Sequence, residues 1–90
     1  MTTVVIDGGL MTSREAAHDL LAARLGLPEY YGRNLDALYD ALTERGEPTR
    51  LVVLHREELV EFLGGYGRAL LETLEDADRA NPTLEVLYEE

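Results

Sequence analysis

The sequence predicts an α/β fold, and three observations carry that expectation. Short runs rich in β-branched and apolar residues, Thr3–Ile6, Arg50–Leu54 and Leu84–Tyr88, alternate with stretches of helical periodicity, the pattern of strands joined by helical crossovers. The middle run, RLVVL, is almost continuously apolar, as in a parallel strand covered on both faces. The stretches between and after these runs repeat leucine or alanine at helical spacing. Together they predict a three-stranded parallel sheet packed with about four helices, in one domain spanning residues 1–90. A chain of that length buries about 60–65% of its unfolded surface, enough for one modest core.

Taken in order, Thr3–Ile6 reads as a buried strand that ends at Asp7-Gly8-Gly9. That turn fits neither the dinucleotide nor the P-loop spacing, and its aspartate would repel a phosphate. Thr12-Ser13-Arg14-Glu15 reads as a capping box, with Thr12 as N-cap, opening a helix that runs to about Leu25 before Gly26 stops it. Ala17, Leu20, Leu21 and Leu25 face inward on it. His18 has no second histidine at ligand spacing, so a surface position is expected.

After a polar loop at Glu44–Pro48, Arg50–Leu54 is the second strand. Arg56–Leu63 is a short helix entered near His55, for which helix entry is a better reading than catalysis. Gly64-Gly65-Tyr66-Gly67 turns the chain into a longer helix ending at Asn81-Pro82, with Tyr66, Leu70, Leu74 and Ala77 inward. Asp76 and Asp78 fall in its last turns, where the helix dipole prefers cations, so stability alone does not account for them. Leu84–Tyr88 is the third strand. The expected core also includes Val4, Val5, Ile6, Leu35, Leu38, Leu42, Leu51–Leu54, Phe62, Val86 and Leu87.

Composition narrows the function classes. Eighteen acids face eight arginines and no lysine, for a net charge of −10. Such a chain repels nucleic acid and anionic lipid and attracts basic partners. With no cysteine there is no disulfide framework, thiolate metal site or thiol nucleophile, which suits a reducing compartment. The first residues, MTTVVID, lack the basic start and long apolar run of a secretory signal, and no apolar stretch reaches membrane-spanning length. A cytoplasmic protein is expected, with no membrane and no cofactor. No calcium or magnesium loop with its fixed glycine is present, and no Ser, His or Cys triad pattern either.

One segment stands out, Leu27–Thr43, LPEYYGRNLDALYDALT. Pro28 and Gly32 punctuate a turn that carries Glu29, Tyr30 and Tyr31. Asn34 is a good N-cap for a helix through about Leu42. At about 100° per residue, Leu35, Leu38 and Leu42 share one stripe, whereas Asp36, Tyr39, Asp40 and Thr43 lie on another. The Asp36/Asp40 pair at i,i+4 costs the helix about 0.2–0.5 kcal/mol. Solvated charge is the usual fate of acids on a helix face, but tyrosines set among acids are how binding hot spots are commonly built. As a catalytic carboxylate pair the two aspartates lack apolar surroundings to separate their pKa values.

The run LPEYYGRNLDALYDAL resembles the signature segment of the barstar family, small acidic intracellular inhibitors of secreted ribonucleases. Length and order of elements agree along the rest of the chain. The resemblance implies three parallel strands with four helices and no catalytic residues. It also implies a one-to-one complex with a small basic extracellular ribonuclease of the guanyl-specific microbial type. In that complex Asp40 would enter the phosphate pocket and Asp36 would meet the base-binding side. Tyr30 and Asn34 would line the contact, Tyr39 would pack beside the acids, and Asp76 would add to the field from the last helix. Tyr39 stands where the family prototype has tryptophan, Asp76 where it has glutamate, and the Glu44-Arg45 loop lacks a second tryptophan. An acidic antitoxin-like protein of the same fold with another basic partner is the alternative.

Overall fold

Parity along the three apolar runs decides which side chains meet. The computed structural model describes residues 1–89. Its elements are β1 (Thr2–Asp7), a 3-10 turn (Gly8–Leu10), α1 (Arg14–Leu25), α2 (Leu35–Thr43), β2 (Thr49–Leu54), α3 (Arg56–Leu63), α4 (Gly65–Ala80) and β3 (Leu84–Glu89). The strands lie in the order β1-β2-β3, all parallel. Register sets Val4, Leu51 and Val86 in one row and Ile6, Val53 and Tyr88 in the next. Side chains alternate across a strand, so these rows share a face. That face meets Leu21 and Leu25 of α1, Leu38 and Leu42 of α2, Leu59 of α3, and Leu70 and Leu74 of α4. Leu38 and Leu42 are fully buried, each contributing about 1.5–3 kcal/mol of transfer free energy and fixing which side of α2 faces outward.

The sheet is covered on one face, not on both as its apolar strands suggested. Sequential strands joined by crossovers of the same right hand bring every connection back over the same side. The opposite rows, Val5, Val52, Leu87 and Leu54, lie outside the core cluster. Val52 is still buried, because it sits in the central strand between Val5 and Leu87. An ion pair, Arg50 to Glu85 at 2.7 Å, lies across the neighbouring row of that face.

Other expectations are corrected locally. The N-cap of α1 is Ser13, whose hydroxyl accepts from Ala16 N–H at 3.0 Å, so Glu15 occupies the second helical position rather than closing a box with Thr12. Phe62 is 48% exposed, whereas Leu59, one turn earlier on α3, is the buried residue. His18 is 1% exposed, not a surface residue. Gly26 ends α1 as expected, with φ 65° in the left-handed region. Both outer strands have a polar group held against them: Arg24 Nε donates to the Val5 carbonyl at 3.1 Å, and the Asp78 carboxylate accepts from Val86 N–H at 2.9 Å. Such side chains blunt strand edges against pairing with another chain. Asp78 therefore has a structural task that the sequence did not reveal.

Candidate functional site

The turn between α1 and α2 divides its two tyrosines. Tyr31 points in and is 8% exposed, whereas Tyr30 is 89% exposed. Gly32 lets the turn press against α2, since a Cβ there would lie 3.1 Å from the Ala37 Cβ. Arg33 follows with φ 54°, a left-handed conformation that costs a non-glycine residue about 1–2 kcal/mol. Its guanidinium pairs with Asp19 of α1. Asn34 then caps α2, accepting from Ala37 N–H at 2.7 Å while its amide donates to the Gly32 carbonyl at 3.2 Å. An acid in the first turn, Asp36, matches the positive end of the helix dipole.

Turn and helix enclose an open groove of about 510 Å³, lined by Gly26, Leu27, Pro28, Tyr30, Tyr31, Gly32, Ala37, Asp40, Ala41, Glu44 and Arg45. Ala37 and Ala41 bring small side chains to the lining that Tyr30 and Asp40 share. Among the described residues neither Asp36 nor Asp40 takes part in an ion pair. The arginine of the segment and the one just after it are engaged elsewhere. Arg33 is with Asp19, and Arg45 donates to the Leu25 carbonyl at 2.9 Å, to the Thr49 hydroxyl at 2.7 Å and to Glu47 at 3.3 Å. The exposed face of α2 is left anionic beside an exposed aromatic ring.

Of the residues singled out from sequence, Tyr30 and Asp40 share the groove. Asp36 and Tyr39 are exposed on α2 outside its lining, Tyr39 at 36%. Asn34 occupies the expected place, but its side chain is committed to the cap. Asp76 is on α4, which packs against α2, and it is ion-paired with Arg79 one turn on. Sequence reasoning passed over Ala37, Ala41 and Arg45. A signal for the alanines was present, since they lie at i,i+4 beside the aspartate stripe; Arg45 gave none, its partners being brought together only by the fold.

Behind the turn lies a network that the sequence hid. His18 Nδ1 lies 2.7 Å from the Tyr31 hydroxyl, and Nε2 lies 2.7 Å from the Tyr66 hydroxyl of α4. Arg14 stacks over the Tyr66 ring at 4.2 Å. Burial depresses the His18 pKa below its ordinary 6.5, and Arg33 adds to that while Asp19 opposes it. Burial pushes the Tyr31 hydroxyl up to about 12. Elsewhere, His55 stands at the entry of α3 with φ 54° and no capping bond. Its Nδ1 lies 2.8 Å from Asp7, whose carboxylate also accepts from Gly9 N–H at 2.8 Å. That hydrogen bond raises the His55 pKa and lowers that of Asp7. Asp7 thus closes its own turn rather than opening a phosphate loop. Among the described residues no group of three or more His, Cys, Asp or Glu side chains could hold a metal, and no helix is long and apolar enough to cross a membrane.

A one-sided α/β layer that presents an acidic helix and a tyrosine turn defines a protein-binding module. Comparison with known proteins makes this specific: the family described as Barstar (barnase inhibitor) matches residues 1–89, and the chain belongs to it. The chain is also 42% identical over 78 residues, 86% of its length and 86% of the relative's, to the Bacillus subtilis (strain 168) protein named "Putative ribonuclease inhibitor YrdF". Membership identifies the chain as an inhibitor rather than an enzyme.

Proposed function

We propose that this protein binds a small basic secreted ribonuclease of the guanyl-preferring microbial type, one to one, in the cytoplasm of the cell that makes the enzyme. The acidic helix α2 and the turn before it block the active-site cleft. A ribonuclease cleft is basic because it holds RNA phosphates, and an inhibitor that copies those charges competes for the same donors. Asp40 takes the place of a phosphate and Asp36 faces the base-binding side. Tyr30 packs from the turn and Tyr39 beside the acids. Asn34 contributes surface more than hydrogen bonds, and Asp76 strengthens the field from α4.

The observation that carries this reading is the isolation of Asp36 and Asp40. Two like charges on one exposed face repel each other, with the nearby arginines turned to other partners and the helix dipole favouring only Asp36. A basic partner supplies what is missing. The test is titration of a guanyl-preferring ribonuclease with the pure protein, expecting loss of RNA cleavage at one equivalent. With a net charge of −10, association should slow steeply as salt rises while dissociation changes less. Full enzyme activity at several equivalents, or stopped-flow association rates flat across salt, would overturn it. Equally tight binding to a basic partner without ribonuclease activity would favour an antitoxin-like role.

A further inference from the structure

The groove is lined by two stretches of chain that separate parts of the fold carry. Residues 26–32 follow the end of α1, which packs on β1 and the 3-10 turn; residues 37–45 belong to α2 and the loop behind it, and α2 packs on α4. Shared apolar contacts bring the two together, but such contacts are non-directional and do not by themselves fix a spacing. A directed link is present where the first stretch begins and the second ends. Arg45 Nη1 donates to the carbonyl of Leu25, the last residue of α1, at 2.9 Å, and Arg45 Nε donates to the Thr49 hydroxyl at 2.7 Å. Thr49 opens β2, is fully buried and donates in turn to the Glu47 carbonyl at 2.8 Å. The guanidinium is thus fixed to the sheet on one side and grips the helix on the other.

We propose that Arg45 is a positioning residue for inhibition: by tying the last carbonyl of α1 to Thr49, it fixes the spacing between the turn that carries Tyr30 and the helix that carries Asp40. The turn follows α1 without slack, since Leu27 N–H is bonded to the Ala22 carbonyl and Tyr31 N–H to the Pro28 carbonyl, so a shift of Leu25 is passed on to Tyr30. The last carbonyls of a helix lack intrahelical partners, and the negative end of its dipole favours a cation there. The planar guanidinium fork reaches Leu25, Thr49 and, through Nη2, Glu47 at 3.3 Å at once, whereas a lysine ammonium offers its donors from a single point. Only 18% of the Arg45 side chain is exposed, so its donors are engaged within the protein rather than offered to a partner.

The effect on inhibition rests on the proposed ribonuclease target and the hold on the turn does not, so the test reads both. Arg45→Met keeps the aliphatic stem and removes every donor. It should speed exchange of the Leu27 and Tyr31 amides about tenfold relative to the Leu51 and Val53 amides of β2, and raise the dissociation rate from a guanyl-preferring ribonuclease about tenfold. A role in overall stability alone would speed both sets of amides alike and leave dissociation unchanged. Because the change takes the net charge from −10 to −11, association at low salt should hold or rise slightly, so the whole loss falls in dissociation. Arg45→Lys restores the charge but not the fork, and should dissociate nearly as fast as Arg45→Met. Thr49→Val removes one anchor and should raise dissociation about threefold; added to Arg45→Met it should worsen the loss little, because the two changes break the same bond. An Arg45→Lys protein with wild-type dissociation and wild-type amide exchange would overturn the proposal. So would Arg45→Met turn amides that are no faster relative to β2, or an unchanged dissociation rate from an enzyme that wild type inhibits. If wild type inhibits no ribonuclease, the function reading fails while amide exchange in Arg45→Met and Arg45→Lys still decides this one. If Arg45→Met does not fold, Arg45→Lys and Thr49→Val carry the same comparison.

Discussion

Acids sit on two packed helices of this protein and are treated in opposite ways. Near the end of α4, Asp76 is paired with Arg79 and Asp78 accepts from Val86 N–H at the sheet edge. Their place against the helix dipole, unexplained in the sequence, is offset by these local partners. On α2, Asp36 and Asp40 have no cation among the described residues, although Arg33 and Arg45 lie close by in the chain. An acid that the fold has satisfied is part of the architecture. Under the proposed function, the acids that the fold has left unsatisfied on α2 are kept for a partner.

If that contrast holds, Asp40→Ala gives the largest effect on inhibition. The residue shares the groove with Tyr30, so binding strips its water and sets it against several cationic donors that its removal leaves unpaired. Truncation of such a hot spot costs at least about 2 kcal/mol of binding, or about thirtyfold in Kd. The extreme losses of this kind come from this family's own prototype, so what is specific to this chain is the order. Asp36→Ala and Tyr30→Ala should follow Asp40→Ala, and then Asp76→Ala, which already has a partner. The free protein should melt at the same temperature or slightly higher, since the Asp36/Asp40 repulsion of about 0.2–0.5 kcal/mol is relieved. Melting curves and inhibition constants on the same variants settle it. A large drop in melting temperature would move Asp40 to the structural class.

Asn81 should behave in the reverse way. At the end of α4, its amide donates to the Leu42 and Arg45 carbonyls at 2.9 and 3.1 Å, and its carbonyl oxygen accepts from Thr83. It thereby seals the C-terminus of the presenting helix from outside. Asn81→Ala leaves a buried carbonyl without its donor and should cost about 1–3 kcal/mol of folding stability. Inhibition, measured per folded molecule, should fall far less than for Asp40→Ala. Asp78→Ala is the smaller case: about 0.5–1 kcal/mol from the lost edge bond, part of it returned by removing an acid from a helix C-terminus. Denaturant melts check both, and a ribonuclease-binding defect in Asp78→Ala without a stability loss would break the comparison.

What the sequence made legible follows from the range of its signals. Periodicity and punctuation are local, so α3 at Arg56–Leu63 and the turn into α4 were readable, and strand ends were displaced by one residue. The Asn34 cap and the division of α2 into leucine and aspartate stripes were equally local. Which face of a sheet is covered depends on crossover hand summed over the whole chain, and that was misread. His18 was misread for a similar reason. Its partners Tyr31 and Tyr66 lie 13 and 48 residues away, and no window around the polar neighbour Asp19 reveals two hydroxyls converging on a buried ring. Phe62 and Leu59 show the limit of hydrophobicity alone, since helix phase against α4 decides which of them goes inside.

Glu44 is the sharpest test of where the contrast stops. Like Asp40 it lines the groove, is exposed, and has no cation among the described residues. By lack of a partner alone it would rank beside Asp40. Its place differs: it is the C-cap of α2, where an acid faces the negative end of the helix dipole and remains in contact with solvent. A hydrated rim charge contributes through the long-range field and little through contact. Glu44→Ala should therefore leave dissociation within about twofold of wild type, slow association slightly at low salt, and raise stability by a few tenths of a kcal/mol. A loss comparable to that of Asp40→Ala would mean that the partner reaches past the helix into the Glu44-Arg45 loop. The binding surface would then extend along the full groove, and freedom from a cation would by itself mark the acids that a partner uses.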